Sequence, residues 1–181
     1  MMFISLDMST KFIAYALWDD GELVEWGKVL PEGKDDNSVG SFSSILTEAF
    51  SGIKIDTVVY EAAFLGNNVM TVKQLSKVTG SMIGAFHTMG TRRFIAVPPI
   101  TWQTGINVGR TPPAKMLELR NAHPDKTNSW LKNKDRENRK QLIVDYVNEK
   151  YKQDFSLKDN DITDAIALGD YAIKMHPELG E

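Results

Sequence analysis

Phe3-Ile4-Ser5-Leu6-Asp7 is a short apolar run that ends on an acid, and Thr57-Val58-Val59-Tyr60-Glu61 repeats that pattern further along the chain. Both read as β-strands, the second rich in β-branched residues. In an open α/β sheet, functional groups gather at the carboxyl ends of parallel strands. If these two strands run parallel, joined by a right-handed crossover through a helix, Asp7 and Glu61 stand side by side at one end of the sheet. Either acid alone is accounted for as a surface residue at a strand end. Two acids in the same position call for more.

The flanking sequence supplies the rest of such a sheet. Lys11 to Trp18 and Glu22 to Val29 read as two further strands, with Asp19-Asp20-Gly21 as the hairpin turn between them. Pro31 to Ser38 is polar and turn-rich and reads as a loop. From Val39 to Phe50 the apolar residues Phe42, Ile45, Leu46, Ala49 and Phe50 follow helical spacing. Val69 to Met89 is a second periodic segment. Its Gly80 and Gly84 share a face, which would allow another helix to approach closely. Arg93 to Val97 is a fifth strand, stopped by Pro98-Pro99, and a short helical turn follows near Thr101 to Gly105. Asn107 to Lys134 is polar and basic without a readable period. Arg136 to Tyr151 reads as an amphipathic helix, and Asn160 as the cap of a last helix ending near Met175. The order βββ-α-β-α-β-α-α predicts an α/β protein: a five-stranded mixed sheet with helices on its faces.

Composition narrows the function classes. The 181 residues suffice for one domain with a real core. No apolar run approaches the roughly 20 residues that span a bilayer, and the N-terminus lacks the basic lead-in of a signal peptide. The expected location is therefore the cytoplasm. There is no cysteine, and His87, His123 and His176 are far apart, so any bound metal would have oxygen ligands. Between Thr91 and Lys140 there are 11 Lys and Arg against 4 Asp and Glu, in a chain whose net charge is -3. One basic segment on an acidic body can bind phosphate locally. A solvated, charge-rich surface accounts for it equally well.

Asp161-Ile162-Thr163-Asp164 leads into Ala165-Ile166-Ala167-Leu168-Gly169. Residues at i and i+3 share a helix face, so the two carboxylates point the same way. Acids near a helix N-terminus also complement its dipole, which suffices for either one alone. Four carboxylates drawn from three elements would repel one another unless cations lay among them. Such an all-oxygen set selects a hard ion, Mg²⁺ or Mn²⁺. Two such ions would serve phosphodiester hydrolysis, with Asp7 placed centrally to bridge both.

In this order and spacing the residues resemble the RuvC family of Holliday junction resolvases, within the RNase H-like superfamily. The resemblance rests on Ile4-Ser5-Leu6-Asp7-Met8-Ser9-Thr10, on Val59-Tyr60-Glu61 with Phe64 three residues on, on the helix from Lys73-Gln74-Leu75 to Gly84-Ala85, and on Asp161 to Ala167. It implies an RNase H-like nuclease domain over residues 1–181, with a three-strand antiparallel meander plus two parallel strands and a basic insertion or loop at 107–134. It further implies a homodimer that binds four-way DNA junctions and nicks two strands symmetrically. Asp7, Glu61, Asp161 and Asp164 become catalytic ligands of two Mg²⁺ or Mn²⁺ ions, with Lys140 at the scissile region and Arg139 as an alternative to it. Phe64 becomes a base-stacking residue, although a buried core position would also account for it. Lys73, Arg139, Arg110 and Lys115 complete the DNA-binding candidates, and the Gly80/Gly84 helix becomes a candidate dimer face.

Met8 stands where the family usually has Gly, and Ala62 where cellular members often have Gln. These departures and the long basic stretch resemble phage-encoded members, which would act in the host cytoplasm with forks and flaps as further substrates. Three other readings share some of the signals. One is a same-fold nuclease such as an RNase H or a packaging nuclease. Another is a sugar-kinase or actin-like ATPase, suggested by Asp7-Met8-Ser9-Thr10 but needing two such domains. The third is a non-catalytic branched-DNA-binding module.

Overall fold

Three strands open the chain, β1 (Met2–Met8), β2 (Ile13–Asp19) and β3 (Glu22–Val29), and they form an antiparallel meander. Asp20 and Gly21 both have positive φ at the β2–β3 hairpin, as a primed two-residue turn requires. Then β4 (Thr57–Glu61) pairs parallel to β1, and β5 (Arg93–Val97) parallel to β4, giving the order β3-β2-β1-β4-β5. This is the expected five-stranded mixed sheet. The computed structural model describes residues 1–32, 35–63 and 69–181, and of 35–38 the backbone alone.

Strand parity sends side chains to two cores. On one face Ile4, Leu6, Val58, Phe42, Leu46, Val78, Met82 and Phe86 pack together, joining the sheet to α1 (Asp35–Ala49) and α2 (Val69–Thr88). On the other, Phe3, Val59 and Val97 pack with Trp102 of α3 (Pro99–Gly105), Ile143 and Val147 of α5 (Asn128–Tyr151), and Ile166 and Leu168 of α6 (Asn160–Met175). The last helix is fastened at one point by a buried polar contact. The Ser5 hydroxyl donates to the Ala165 carbonyl at 2.7 Å and accepts from the Trp18 indole N–H at 2.9 Å. Gly169 lets this approach happen. A Cβ there would lie 2.4 Å from Trp18 Nε1 and 2.6 Å from Ser5 Oγ.

The helices differ from expectation at several points. α1 starts at Asp35 rather than Val39, so the polar loop is shorter than its composition suggests. The basic stretch holds helix α4 (Pro113–Ala122) and the first turns of α5, which begins at Asn128 rather than Arg136. Pro113 takes the first helical position of α4, where its missing N–H costs nothing. Thr127 caps α5 by accepting the Trp130 backbone N–H at 3.2 Å. No residue of α4 is buried, so no apolar stripe marks it in the sequence. Asn160 does not cap α6. It is the first helical residue, and its side-chain amide donates to the Leu157 carbonyl at 2.7 Å. A Cβ on Gly80 or Gly84 would meet nothing within 4 Å, so the close helix packing expected of them is not made among the described residues.

Candidate active site

The pairing of β1 with β4 runs to Leu6 opposite Tyr60, which makes Asp7 and Glu61 the next residues on adjacent strands. Leu6 and Tyr60 face the α1/α2 core. By alternation Asp7 and Glu61 face α6, whose first turns carry Asp161 and Asp164. All four acids line one cavity of about 310 Å³, with Phe12, Gln103, Arg136, Arg139 and Lys140 among the other residues of its wall. The cationic side chains come from α5, so the cavity has an acidic floor and a basic side. No His or Cys lines it.

Each acid has a distinct environment. The indole N–H of buried Trp102 donates to Glu61 Oε2 at 2.8 Å, which fixes that carboxylate. Asp161 Oδ2 accepts from Lys28 Nζ at 2.9 Å. Asp164 Oδ1 is buried without a hydrogen-bond partner among the described residues. Opposite them, the Lys140 amine donates to Asn160 Oδ1. Arg139 is braced by Asp135 at 3.4 Å, and Asp135 also accepts the Thr111 backbone N–H at 3.1 Å.

Burial, joined at Asp7 and Asp164 by the charges of neighbouring carboxylates, raises the proton affinities of Asp7, Glu61 and Asp164. Asp7 is pushed well above the usual carboxylate range, first by burial and then by the charges of Asp164, Glu61 and Asp161, with Lys140 opposing. Burial, together with Glu61 and Asp161, lifts Asp164 to about 7 against the pull of Lys140 and Arg136. Burial raises Glu61 as well, while the Trp102 hydrogen bond and Lys140 hold it down in part. A cluster in which charge is this costly is suited to accept cations.

The donor set fits a hard divalent ion. It is all oxygen, and it includes a buried carboxylate oxygen without a hydrogen-bond partner among the described residues. As the side chains stand, no group of three or more His, Cys, Asp or Glu among the described residues is arranged to hold a metal. Two contacts account for part of this, since Trp102 engages Glu61 and Lys28 engages Asp161. Mg²⁺ needs only one or two carboxylates, because it keeps much of its water.

The remaining candidates lie elsewhere. Arg110 and Lys115 are not at the acid cavity; they line a separate groove of about 520 Å³ with Asn138 and Gln141 of α5. Lys73 is exposed on α2 and is not part of the acid cavity's wall. Lys140 lies mid-helix, because α5 begins at Asn128 and not at Arg136. Phe64 lies outside the described residues. Sequence reading missed Lys28, Trp102, Gln103 and Arg136 as site residues. Of these only Trp102 carries a signal, since a buried Trp N–H requires an acceptor.

Trp102→Phe keeps the ring's bulk and removes the donor to Glu61. We expect it to cost about 1 kcal/mol of stability. If Glu61 ligates a divalent ion, the variant should also bind Mn²⁺ about 10-fold or more weakly, as loss of groups that orient ligands does. Urea unfolding and Mn²⁺ titration check the two effects.

No protein-family model and no curated protein matches the chain. Solved structures do. Thermus thermophilus RuvC in complex with a Holliday junction substrate superposes with a TM-score of 0.67 at 11% identity, covering 97% of both chains. A further T. thermophilus RuvC structure gives 0.64 at 12% identity, over 97% of this chain and 96% of that one. The yeast mitochondrial Holliday junction resolvase Ydc2 gives 0.55 at 8% identity, over 98% of this chain and 79% of that one. At such identities the likeness speaks for architecture: this chain has the RNase H-like fold found in RuvC and other Holliday junction resolvases.

Proposed function

We propose that this protein is a divalent-metal-dependent endonuclease that resolves Holliday junctions and related branched DNA, acting as a homodimer. The observation that carries the reading is the cavity itself. Four carboxylates, from β1, β4 and α6, face Arg136, Arg139 and Lys140 across about 310 Å³, on a fold shared with junction resolvases.

In this reading Asp7, Glu61, Asp161 and Asp164 hold two Mg²⁺ or Mn²⁺ ions. Ions bound there supply activation of water and stabilisation of the leaving oxygen in phosphodiester hydrolysis. The protein's own groups do the rest. Trp102 keeps Glu61 in place, and Asp135 keeps Arg139 aimed past Gln103. Lys140, Arg136 and Arg139 neutralise the phosphates on either side of the scissile bond and draw the strand into the cavity. Arg110 and Lys115, in the neighbouring groove across α5, hold DNA further from the cut.

Metal binding should be coupled to protons. Asp164, pushed up to about 7, and Asp7, pushed well above the usual carboxylate range, must both give up a proton to bind a cation. Apparent Mn²⁺ affinity is therefore expected to rise with pH through 7 and beyond, as calorimetry in buffers of different ionisation heat would report. A flat profile would mean that neither acid takes part.

Specificity is tested with a panel of a labelled four-way junction, a fork, linear duplex and an RNA–DNA hybrid, each with Mg²⁺, Mn²⁺ or EDTA. Paired symmetric nicks in the junction support a resolvase. Cutting of forks and flaps as well makes it a broader branch nuclease. Hybrid cutting alone assigns it to RNase H chemistry, and binding without cutting makes it a junction-binding module.

A further inference from the structure

Strand register places one more charged residue in line with the acids. Asp7 pairs with Ala14 across β1 and β2, and Ala14 pairs with Lys28 across β2 and β3. Directly opposed residues share a sheet face, so Asp7, Ala14 and Lys28 form a row on the side covered by α6. Ala14, buried and with only a methyl group, separates the cation from Asp7. Lys28 is not a wall residue of the acid cavity, yet its ammonium reaches Asp161 Oδ2 at 2.9 Å.

Its placement is supported from below. The ammonium lies 4.7 Å from the centroid of the Phe12 ring, close enough for a cation–π contact. Phe12 is held in turn by its backbone N–H bonding to Ser9 Oγ at 3.1 Å. Both partners of the ion pair are partly shielded, the Lys28 side chain being 27% exposed and that of Asp161 21%. Asp164, one helical turn on, has no cation of this kind on its buried oxygen among the described residues.

We propose that Lys28 is a built-in counter-cation: it holds Asp161 at the rim of the acid cavity in the metal-free protein and yields it when a divalent cation binds. The inference rests on the reading of the acids as metal ligands. Replacing a monovalent ammonium by a divalent ion leaves Asp161 neutralised throughout, and it makes metal occupancy depend on breaking one ion pair. Lys28 is thus a positioning residue acting through Asp161.

The test is Mn²⁺ binding without any substrate, read from the paramagnetic resonance signal of free Mn²⁺. Lys28→Gln, and Lys28→Met which keeps the aliphatic stem over Phe12, are expected to bind Mn²⁺ about three- to five-fold more tightly, the upper range open to a partly exposed ion pair. Lys28→Arg retains the cation and should stay within about two-fold of the natural protein. In an Asp161→Asn background the Lys28→Gln gain should shrink to under about two-fold, because the pair is already broken.

Circular dichroism confirms that each variant is folded. Unchanged or weaker Mn²⁺ binding in Lys28→Gln and Lys28→Met, with the natural protein binding normally, overturns the role of Lys28 and leaves the proposed function standing. A gain equally large in the Asp161→Asn background also overturns it, since it would be a general charge effect. Absence of Mn²⁺ binding in every form overturns both this inference and the reading of the acids.

Discussion

Asp7→Asn is expected to lower junction cleavage by about 10³-fold or more while making the metal-free protein more stable. The two effects share a cause. Asp7 sits on a core strand, half-buried in the wall of the acid cavity, among Asp164, Glu61 and Asp161. Its carboxyl is raised well above the usual range, so the fold binds its proton more tightly than the unfolded chain does. For such an acid, stability falls as pH rises from the ordinary carboxylate range near 4 through the raised value in the fold. The destabilisation is absent in acid and fully developed only above that raised value. Asparagine removes it. The melting temperature of Asp7→Asn in EDTA should therefore exceed that of the natural protein at pH 8, and the gap should close towards pH 4. Thermal unfolding across that range, beside single-turnover cleavage, gives both readings. A variant that cuts normally, or one destabilised at pH 8, would mean that Asp7 does not bear the charge density assigned to it.

Gly169→Ala is expected to destabilise the protein by about 1–3 kcal/mol, as overpacking a filled core does. Gly169 does not line the acid cavity, but there α6 packs closely against Trp18 and Ser5 of the sheet. A methyl there would stand 2.4 Å from Trp18 Nε1 and 2.6 Å from Ser5 Oγ, so α6 must move away. Ser5 would then lose its 2.7 Å bond to the Ala165 carbonyl. That bond is one residue from Asp164, and the same displacement carries Asp161 and Asp164 away from Asp7 and Glu61. Urea unfolding should show the loss, and cleavage by the folded fraction should fall by about 10-fold or more, since displacing a catalytic group by an ångström has that order of effect. Gly169→Ala with normal stability would show that α6 has slack against the sheet, contrary to the packing seen here.

Where the chain forms strands, it could be read with little error. β3, β4 and β5 have their expected limits because each is a short alternating or β-branched run bounded by turn residues or proline. The placement of the acids was legible from two signs: Asp7 and Glu61 each close an apolar strand of a parallel pair, and Asp161 and Asp164 are spaced i to i+3 on one helix. The helices of the basic stretch were not legible. α4 buries nothing and so carries no apolar stripe, and the first turns of α5 are polar apart from Trp130 and Leu131. Lys28 and Trp102 were hidden for another reason. Each meets its acid across a long sequence separation, Lys28 to Asp161 and Trp102 to Glu61, and no local pattern encodes such a meeting. Gly80 and Gly84 show the opposite failure, a pattern that suggested close packing where the described residues make none.

The central claim is that Asp7, Glu61, Asp161 and Asp164 act as one metal-dependent centre for cutting DNA junctions. Its most direct test is cleavage of a four-way junction, labelled on each strand in turn, by the natural protein and by Asp7→Asn, Glu61→Gln, Asp161→Asn and Asp164→Asn. Each is run with Mg²⁺, Mn²⁺ or EDTA, with junction binding measured alongside by gel shift. The account predicts symmetric nicks by the natural protein that need a divalent ion, loss of nicking in all four variants, and retained junction binding. Nicking that persists in EDTA, or in Asp7→Asn or Glu61→Gln, would contradict it.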